Sequence, residues 1–192
     1  MRLVVQDLAQ LHPRATREEL GETYQPSLLA DPSAQFALEF SRGGEGSREQ
    51  VDLNEIIQEI VSDLELTIHQ KSATIRISPM PVIEGARVLL YQLFYNLFNN
   101  SLKFSKAGRA PEIVVSSECH RVSGKAFVRI TFSDNGIGFD PAQTEKIFHT
   151  FIRLNSKDKY EGTGLGLALC RKIVLRHQGT INPNSEAGNG AT

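Results

Sequence analysis

Three short segments, in a fixed order along the chain, constrain its fold more than any other feature. The first belongs to a predicted helix and reads Asn96-Leu97-Phe98-Asn99-Asn100-Ser101-Leu102-Lys103-Phe104. Two glycine-rich segments follow, Asp134-Asn135-Gly136-Ile137-Gly138 and Gly162-Thr163-Gly164-Leu165-Gly166-Leu167. Glycine-rich turns are common in isolation. Together, these segments predict a pocket in which backbone amides and a helix start face a nucleotide.

The first glycine-rich segment places a carboxylate at the end of a predicted strand. A carboxylate only accepts hydrogen bonds, so Asp134 selects a ligand edge that donates. Adenine presents an exocyclic amine there, whereas guanine presents a carbonyl that a carboxylate repels. Gly136 and Gly138 allow positive φ and a close approach of the backbone to a ligand. An ordinary turn after a strand is the alternative for Asp-Asn-Gly alone, and the other two segments favour the binding site.

The helical segment carries groups suited to a metal-bound triphosphate. Such a metal takes few protein oxygens, so the side-chain amide of Asn100 suffices as a ligand. Asn96 lies one turn earlier on the same face, and Lys103 can neutralise phosphate as a point charge. Phe104 offers an aromatic ring to a base. A solvated polar face is the alternative, but leucines bury this helix and asparagine is a poor helix former.

The second glycine-rich segment is predicted to open a helix. Gly162, Gly164 and Gly166 make room for phosphate at the positive end of the helix dipole, with Thr163 and Leu165 between them. The segment is not a Walker loop, because no GK[ST] follows. It is not a dinucleotide-binding fingerprint either, because a polar segment precedes it instead of a strand. Its position after the first glycine-rich turn therefore favours a phosphate site.

Hydrophobic periodicity predicts a two-layer α/β sandwich. Residues 1–41 read as helical, with Leu3, Val4, Leu8 and Leu11 on one face, and a glycine-rich linker at 42–47 sets a boundary between segments 1–46 and 47–192. Asp52 is predicted to cap a helix that continues to Ile68. The remaining predictions are strands at 74–77, 113–116, 127–132 and near Thr180, helices at 86–105, 141–148 and 165–177, and a polar lid at 153–161.

Composition excludes several function classes. The net charge of the 192-residue chain is −1, which gives no electrostatic footprint for nucleic acid or an anionic membrane surface. Cys119 and Cys170 lack metal-ligand spacing and read as free thiols. No apolar run approaches the roughly 18 residues that a membrane span requires, and no signal-peptide core is present. We expect a cytoplasmic segment without membrane contact, whose parent protein could still be membrane-anchored.

These segments together resemble the ATP-binding catalytic domain of sensor histidine kinases. Residues 92–105 resemble the N box of that family, and Asp134–Gly138 resembles its first glycine box. The phenylalanine box and the second glycine box are matched by 147–154 and 161–169, and 171–181 continue the similarity. The resemblance implies a Bergerat-type fold, with a mixed sheet of about five strands packed on three helices. The short lid is similar to that of phytochrome-type kinases.

The resemblance also implies roles for individual residues. Asn100 would hold Mg²⁺ with help from Asn96, and Lys103 and Arg153 would contact phosphate. Asn100, Lys103 and Arg153 would accordingly be the catalytic residues. The cofactor would be Mg·ATP, bound by Asn96, Asn100, Lys103, Phe104, Asp134, Gly136, Gly138, Arg153, Gly162, Thr163, Gly164, Leu165 and Gly166.

Two departures from the family pattern predict a fragment of a larger sensor. The first 50 residues contain no phosphoacceptor helix, since Pro13 follows His12 where a helix must continue. Residues 37–42 resemble the tail of a dimerisation helix, and residues 188–192 resemble the approach to a final strand that is absent. The implied partners are the dimerisation and phosphoacceptor domain of the parent kinase and the receiver domain of a response regulator.

Other functions are compatible with parts of the pattern. A degenerate domain that binds a nucleotide or a partner without turnover would retain the same boxes, and so would a serine kinase of the anti-sigma type. An ATPase of the topoisomerase or mismatch-repair type would need a longer lid and a following transducer domain. The intact Asp134, Asn100 and glycine boxes favour the histidine kinase.

Overall fold

The structure is a computed structural model that describes residues 2–6, 48–122, 125–152 and 163–192. Residues 7–41 of the stretch predicted to be helical, the linker at 42–47, the lid, Arg153 and Gly162 lie outside these ranges. The strands are β1 (Arg2–Gln6), β2 (Glu49–Asp52), β3 (Thr74–Ile77), β4 (Val82–Gly85), β5 (Glu112–Val122), β6 (Lys125–Asp134) and β7 (Thr180–Asn182). The helices are α1 (Leu53–Asp63), α2 (Glu65–Gln70), α3 (Arg87–Lys103) and α4 (Gly166–Arg176), with 3₁₀ turns at Pro141–Gln143 and Lys146–Phe148.

A mixed five-stranded sheet forms one layer, as the sequence predicts. Its strand order is β3-β5-β6-β1-β7. The strands β3 and β5 are parallel, with Thr74 opposite Glu112, and the other neighbours are antiparallel. A separate two-stranded sheet pairs β2 with β4. The five-stranded sheet delivers Asp134 at the end of β6.

The helices bury their apolar faces in one continuous core. From α1, Leu53, Ile56, Ile57 and Ile60 are fully buried, as the amphipathic pattern predicts. Phe98 of α3 meets Phe132 of β6 edge to face, with ring centroids 4.8 Å apart. This aromatic contact fixes α3 against the strand that carries Asp134. No helix within the described ranges has the length and hydropathy to cross a bilayer.

The N-terminal prediction is wrong for the first few residues. Residues 2–6 form β1 and not the start of a helix, and they lie between β6 and β7. Arg2 is opposite Thr131 and Asn182 on the two sides. Strand pairing with partners more than a hundred residues away outweighs the local helical spacing of leucines. The fifth strand of the sheet is therefore contributed by the N-terminus.

Other element boundaries also differ from the sequence prediction. The helix predicted from Asp52 to Ile68 breaks at Leu64, whose φ of −98° and ψ of 5° separate α1 from α2. Residues 141–148 form two 3₁₀ turns and not one helix. Strands β2 and β4 were not predicted, because their sequences EQVD and VIEG do not alternate apolar and polar residues as the TIRI of β3 does. Asp52 caps α1 as predicted, accepting from the Asn54 backbone N–H at 2.8 Å.

Candidate functional site

Asp134 is held in place by two hydrogen bonds to its carboxylate. The Gly136 backbone N–H donates to Oδ1 at 2.9 Å, and the Ser101 hydroxyl donates to Oδ2 at 2.9 Å. The Asp134 backbone is also paired, because its N–H donates to the Ala191 carbonyl at 2.9 Å. The carboxylate is only partly buried. An oriented acceptor therefore stands at the end of β6, next to α3.

The turn after Asp134 is attached to the C-terminal end of α3. The Ile137 backbone N–H donates to the Phe104 carbonyl at 3.0 Å. A Cβ at Gly136 would lie 2.7 Å from that same carbonyl oxygen, so only glycine fits. Asn135 anchors the other flank, where its Oδ1 accepts from the Glu112 N–H at 2.9 Å. The first glycine-rich turn is thus a rigid connection between two elements.

Gly138 closes the turn against the C-terminal residues. Its φ is +62°, in the left-handed region that favours glycine. A Cβ there would lie 2.3 Å from the Glu186 carbonyl oxygen. The Gly188 N–H donates to the Ile137 carbonyl at 2.7 Å. The backbone freedom predicted for Gly138 is therefore required by close packing on residues 186–190.

The polar side chains of α3 line one end of the site. Asn96 is buried and Asn100 is partly buried, one turn apart on the helix. Phe104 is the C-cap residue, and its N–H donates to the Asn100 carbonyl at 2.8 Å. The Lys103 Nζ lies 4.8 Å from the centroid of the Phe104 ring. The predicted amide, amine and aromatic groups thus belong to the last two turns of α3.

The start of α4 approaches the two asparagines. A Cβ at Gly166 would lie 3.6 Å from Asn96 Oδ1 and 3.8 Å from Asn100 Nδ2. Leu165 is the N-cap residue and provides no side-chain cap, so the first amides of α4 depend on another partner. A helix start and two carboxamides therefore share one space, which suits an anion together with its metal.

The second glycine-rich segment is connected to residues 146–152. The Phe151 N–H donates to the Gly164 carbonyl at 3.2 Å, and Gly164 has a φ of +76°. Thr163 lies beside Gly164 and is partly buried. The structure therefore joins Gly164 to Phe151 and places Gly166 next to α3, whereas Gly162 and Arg153 lie outside the described residues.

Sequence reasoning missed Ser101. Its hydroxyl bonds to Asp134, which is 33 residues away, and the residue is 6% exposed. A serine inside a helix gives no local indication of such a contact. Its position directly after Asn100 was the available signal.

The chemistry of the donor set limits how a metal could be held. Within the described ranges, no group of three or more His, Cys, Asp or Glu residues could bind an ion. Amide oxygens of Asn96 and Asn100 are hard donors that suit Mg²⁺ when a ligand supplies the remaining oxygens. Cys170 contributes no ligand, since burial raises the pKa of its thiol and Sγ donates to the Leu93 carbonyl at 3.8 Å.

Comparisons with known proteins agree with this geometry. The family described as histidine kinase-, DNA gyrase B-, and HSP90-like ATPase matches residues 85–192. The phytochrome-like protein Cph1 of Synechocystis sp. is 37% identical over 141 residues, covering 73% of this chain and 18% of Cph1. Full-length ShkA in complex with AMPPNP has a TM-score of 0.67 and 27% identity, over 86% of this chain and 34% of ShkA.

A further solved structure is similar over the same region. Histidine kinase ThkA, in complex with response regulator protein TrrA, has a TM-score of 0.64 and 25% identity. The similarity covers 86% of this chain and 45% of that chain. The chain thus spans well under two thirds of the length of each of these three proteins.

Proposed function

The chain belongs to the histidine kinase-, DNA gyrase B-, and HSP90-like ATPase family, and we propose that it is the ATP-binding catalytic domain of a sensor histidine kinase. One observation carries this proposal. Asp134, at the end of β6, is hydrogen-bonded to Ser101 of α3, while Gly166 at the start of α4 lies against Asn96 and Asn100 of the same helix. A single helix therefore connects a carboxylate suited to a base with a helix start suited to phosphate.

The base end of the proposed site is adenine-specific. The Asp134 carboxylate accepts from the exocyclic amine, and the Phe104 ring lies along the base. Eight residues separate Asn96 from Phe104, which is about 12 Å along a helix at the standard rise. The turn residues Gly136 and Gly138 let the segment that carries Asp134 pack against the Phe104 carbonyl and residues 186–190.

The phosphate end of the proposed site combines α3 with the start of α4. Lys103 and Arg153 neutralise phosphate charge, and the backbone from Gly162 to Gly166 surrounds the phosphates. Asn100, assisted by Asn96, is the protein ligand of Mg²⁺, which offsets charge on the phosphates when it is bound. These residues orient the terminal phosphate and exclude water without forming a covalent bond. Catalysis consists of positioning and charge neutralisation.

The acceptor and the partners complete the proposal. The γ-phosphate passes to a histidine of the parent protein's dimerisation domain, and from there to the receiver domain of a response regulator. Support comes from the similarity to ThkA, whose solved complex contains a response regulator, and to ShkA, which binds AMPPNP in its solved structure. In this proposal, residues 47–192 form the catalytic domain together with β1 (Arg2–Gln6), which lies between β6 and β7 in its sheet. The domain works in the cytoplasm.

A reconstituted phosphotransfer assay tests the proposed function. The chain is incubated with γ-labelled ATP and Mg²⁺, first alone and then with the dimerisation helices of its parent protein. Transfer requires the acceptor nitrogen about 3–3.5 Å from phosphorus and in line. We therefore expect label only in the mixture, and the label should be acid-labile and base-stable, as phosphohistidine is. Acid-stable label on Ser or Thr would favour the anti-sigma-type kinase, and ATP binding without any transfer would favour a degenerate module.

A further inference from the structure

The carboxylate of Asp134 has two protein donors, and they have different origins. Gly136 donates to Oδ1 through its backbone, from the turn that Asp134 itself begins. Ser101 donates to Oδ2 through its side chain, from a different element. A carboxylate has about four acceptor positions, so each oxygen retains acceptor capacity after these bonds. The two bonds fix how the carboxylate plane is rotated without using all of its acceptor sites.

Ser101 occupies a restricted position on α3. It is 6% exposed and directly follows Asn100 in the sequence. A serine inside a helix often returns its hydroxyl to the carbonyl one turn earlier, but this hydroxyl donates to Asp134 at 2.9 Å. The proposed metal ligand and the residue that holds the base-reading carboxylate are therefore consecutive on one helix.

We infer that Ser101 is a positioning residue for adenine recognition, which acts by holding the Asp134 carboxylate in the orientation that accepts the exocyclic amine. The inference rests on the proposed function, because it takes Asp134 as the group that contacts the base. Without the Ser101 hydroxyl, Oδ2 would lose this side-chain donor. Among the described residues, the bond from the Gly136 N–H to Oδ1 would then be the one that still orients the carboxylate. Rotation then becomes easier, and the amine must order the carboxylate when it binds.

The inference predicts a base-specific effect. A residue that merely clamps α3 to β6 would weaken every nucleotide that fits the site. A residue that orients an acceptor for the amine would weaken only nucleotides that possess the amine. ATP and purine riboside 5′-triphosphate differ at this position, because the second carries hydrogen where ATP carries the amine. The ratio of their affinities therefore reports on the orientation of Asp134.

The test is calorimetric titration of both triphosphates, with Mg²⁺, into four proteins. Wild type should bind ATP about tenfold or more tightly than the purine analogue, as a charge-assisted hydrogen bond provides. Ser101→Ala should lose about three- to tenfold in ATP affinity and under about twofold for the analogue. Ser101→Thr, which keeps the hydroxyl, should restore discrimination. Ser117→Ala removes a hydroxyl that donates to the Pro79 carbonyl at 3.0 Å, and it should change neither affinity.

The outcomes separate this inference from the proposed function. If wild type does not prefer ATP over the analogue, Asp134 does not read the amine, and both proposals fail at that point. If wild type discriminates but Ser101→Ala loses both ligands equally, Ser101 is only a clamp and the inference is overturned. If Ser101→Ala does not fold, Ser101→Cys replaces it, because cysteine is similar in volume but a weaker donor. Ser101→Cys should lower the ratio of ATP affinity to analogue affinity relative to wild type. An unchanged ratio in that variant would overturn the inference as well.

Discussion

Asp134 combines a structural role in its backbone with the base-reading role proposed for its side chain. Its backbone ends a strand and pairs with Ala191, while its partly buried side chain bonds to Ser101 and Gly136. Asn at this position keeps the size and one acceptor oxygen but loses the charge. We expect Asp134→Asn to weaken ATP binding at least about tenfold, because a charge-assisted hydrogen bond contributes about 1.5–3 kcal/mol.

Calorimetry checks this prediction, with circular dichroism to confirm the fold. Asp140→Asn is the matched control, because Asp140 is exposed and its carboxylate only caps a 3₁₀ turn by accepting from the Ala142 N–H at 2.9 Å. The control should bind ATP like wild type. Equal ATP affinity in Asp134→Asn and wild type would remove the base-reading role from Asp134.

Asn100 provides a second prediction at this scale. If Asn100 holds Mg²⁺ as proposed, added Mg²⁺ should strengthen ATP binding by wild type, because the ion would offset phosphate charge. Asn100→Ala should remove most of that increase and leave metal-free adenosine binding intact. Asn99→Ala is the control, since Asn99 is the exposed neighbour. A magnesium effect that persists undiminished in Asn100→Ala would exclude Asn100 as a metal ligand.

Residue type, motif order and the family resemblance predicted most residues of the candidate site, but not Ser101. Asp134, Asn100 and Gly166 were predicted from their chemistry and order, and the structure places them around the end of α3. Ser101 was not predicted, because a helical serine has no preferred role until its neighbour across the fold is known. The contribution of Arg153 stays a prediction, since it lies outside the described residues.

At the scale of elements, the turn after β6 depends on glycine for space as well as for conformation. Gly138 and Gly108 both have positive φ, +62° and +73°, but only Gly138 is crowded, by the carbonyls of Glu186 and Gly190. At Gly108, no described residue other than its chain neighbours has an atom within 4 Å of the position that a Cβ would take. Gly108→Ala should therefore destabilise by about 1–2 kcal/mol, which is the conformational cost alone.

Gly138→Ala should destabilise the protein by more than Gly108→Ala does, because the backbone of residues 186–190 must move in addition. It should also weaken ATP binding, since the same turn carries Asp134, whereas Gly108→Ala should not. Urea unfolding and ATP titration of the two variants give the comparison. Equal destabilisation by both substitutions would show that the turn can relax away from residues 186–190.

His177 connects the end of α4 to the start of α3. Its Nε2 accepts from the Ala86 N–H at 3.1 Å, and its Nδ1 donates to the Ile173 carbonyl at 2.8 Å. The neutral ring fits this pair of partners, because protonation would place an N–H on Nε2, facing the N–H of Ala86. Burial lowers the pKa of His177, and the positive charges of Arg48 and Arg176 lower it further, while the bond to Ile173 opposes both.

This lowered pKa makes stability depend on pH. A histidine whose folded pKa lies below its unfolded value of about 6.5 binds protons more readily when the chain is unfolded. Its contribution to the unfolding free energy is complete above that value and decreases as pH falls below it. We expect His177→Gln to reduce the loss of unfolding free energy between pH 7 and pH 5. Urea unfolding of wild type and His177→Gln at the two pH values measures this difference.

Helices and strands were predictable where the apolar pattern repeats regularly. The apolar faces of α1, α3 and α4 repeat over at least eleven residues, and all three helices lie close to their predicted positions. The strands β2 and β4, with the sequences EQVD and VIEG, lack the apolar–polar alternation that made the equally short β3 predictable. The break at Leu64 escaped prediction because one residue with altered dihedrals does not interrupt the apolar pattern.

At the scale of the whole molecule, the two ends of the chain meet on one strand. Ala191 pairs with Asp134 of β6, and three positions further along β6, Arg2 pairs with Thr131. Residues 2–6 continue along β6 to Phe127 and pair with β7 on their other side. Among the described strands, β7 pairs with β1 alone. The β7 edge of the sheet therefore depends on residues 2–6 for its pairing.

Removal of this strand gives the last prediction. β1 contributes five register pairs with β6 and three with β7, and each net backbone hydrogen bond is worth about 0.5–1.5 kcal/mol. Deletion of residues 1–6 should therefore lower the unfolding free energy by at least about 3 kcal/mol, allowing for bonds that are not fully formed. It should also expose β6 as an unpaired edge that favours aggregation.

A substitution tests the same strand without shortening the chain. Val4 lies in the middle of β1, opposite Arg129 and Thr180 in the strand register. Val4→Pro removes a backbone N–H donor and restricts the backbone there, so it should also destabilise the protein. Val4→Thr, which stays β-branched, is the matched control and should cost less. Hydrogen exchange should then accelerate at residues 127–131 and 180–182 in the deletion and the proline variant only. Unchanged exchange in both would mean that β6 and β7 are held by something other than the N-terminal strand.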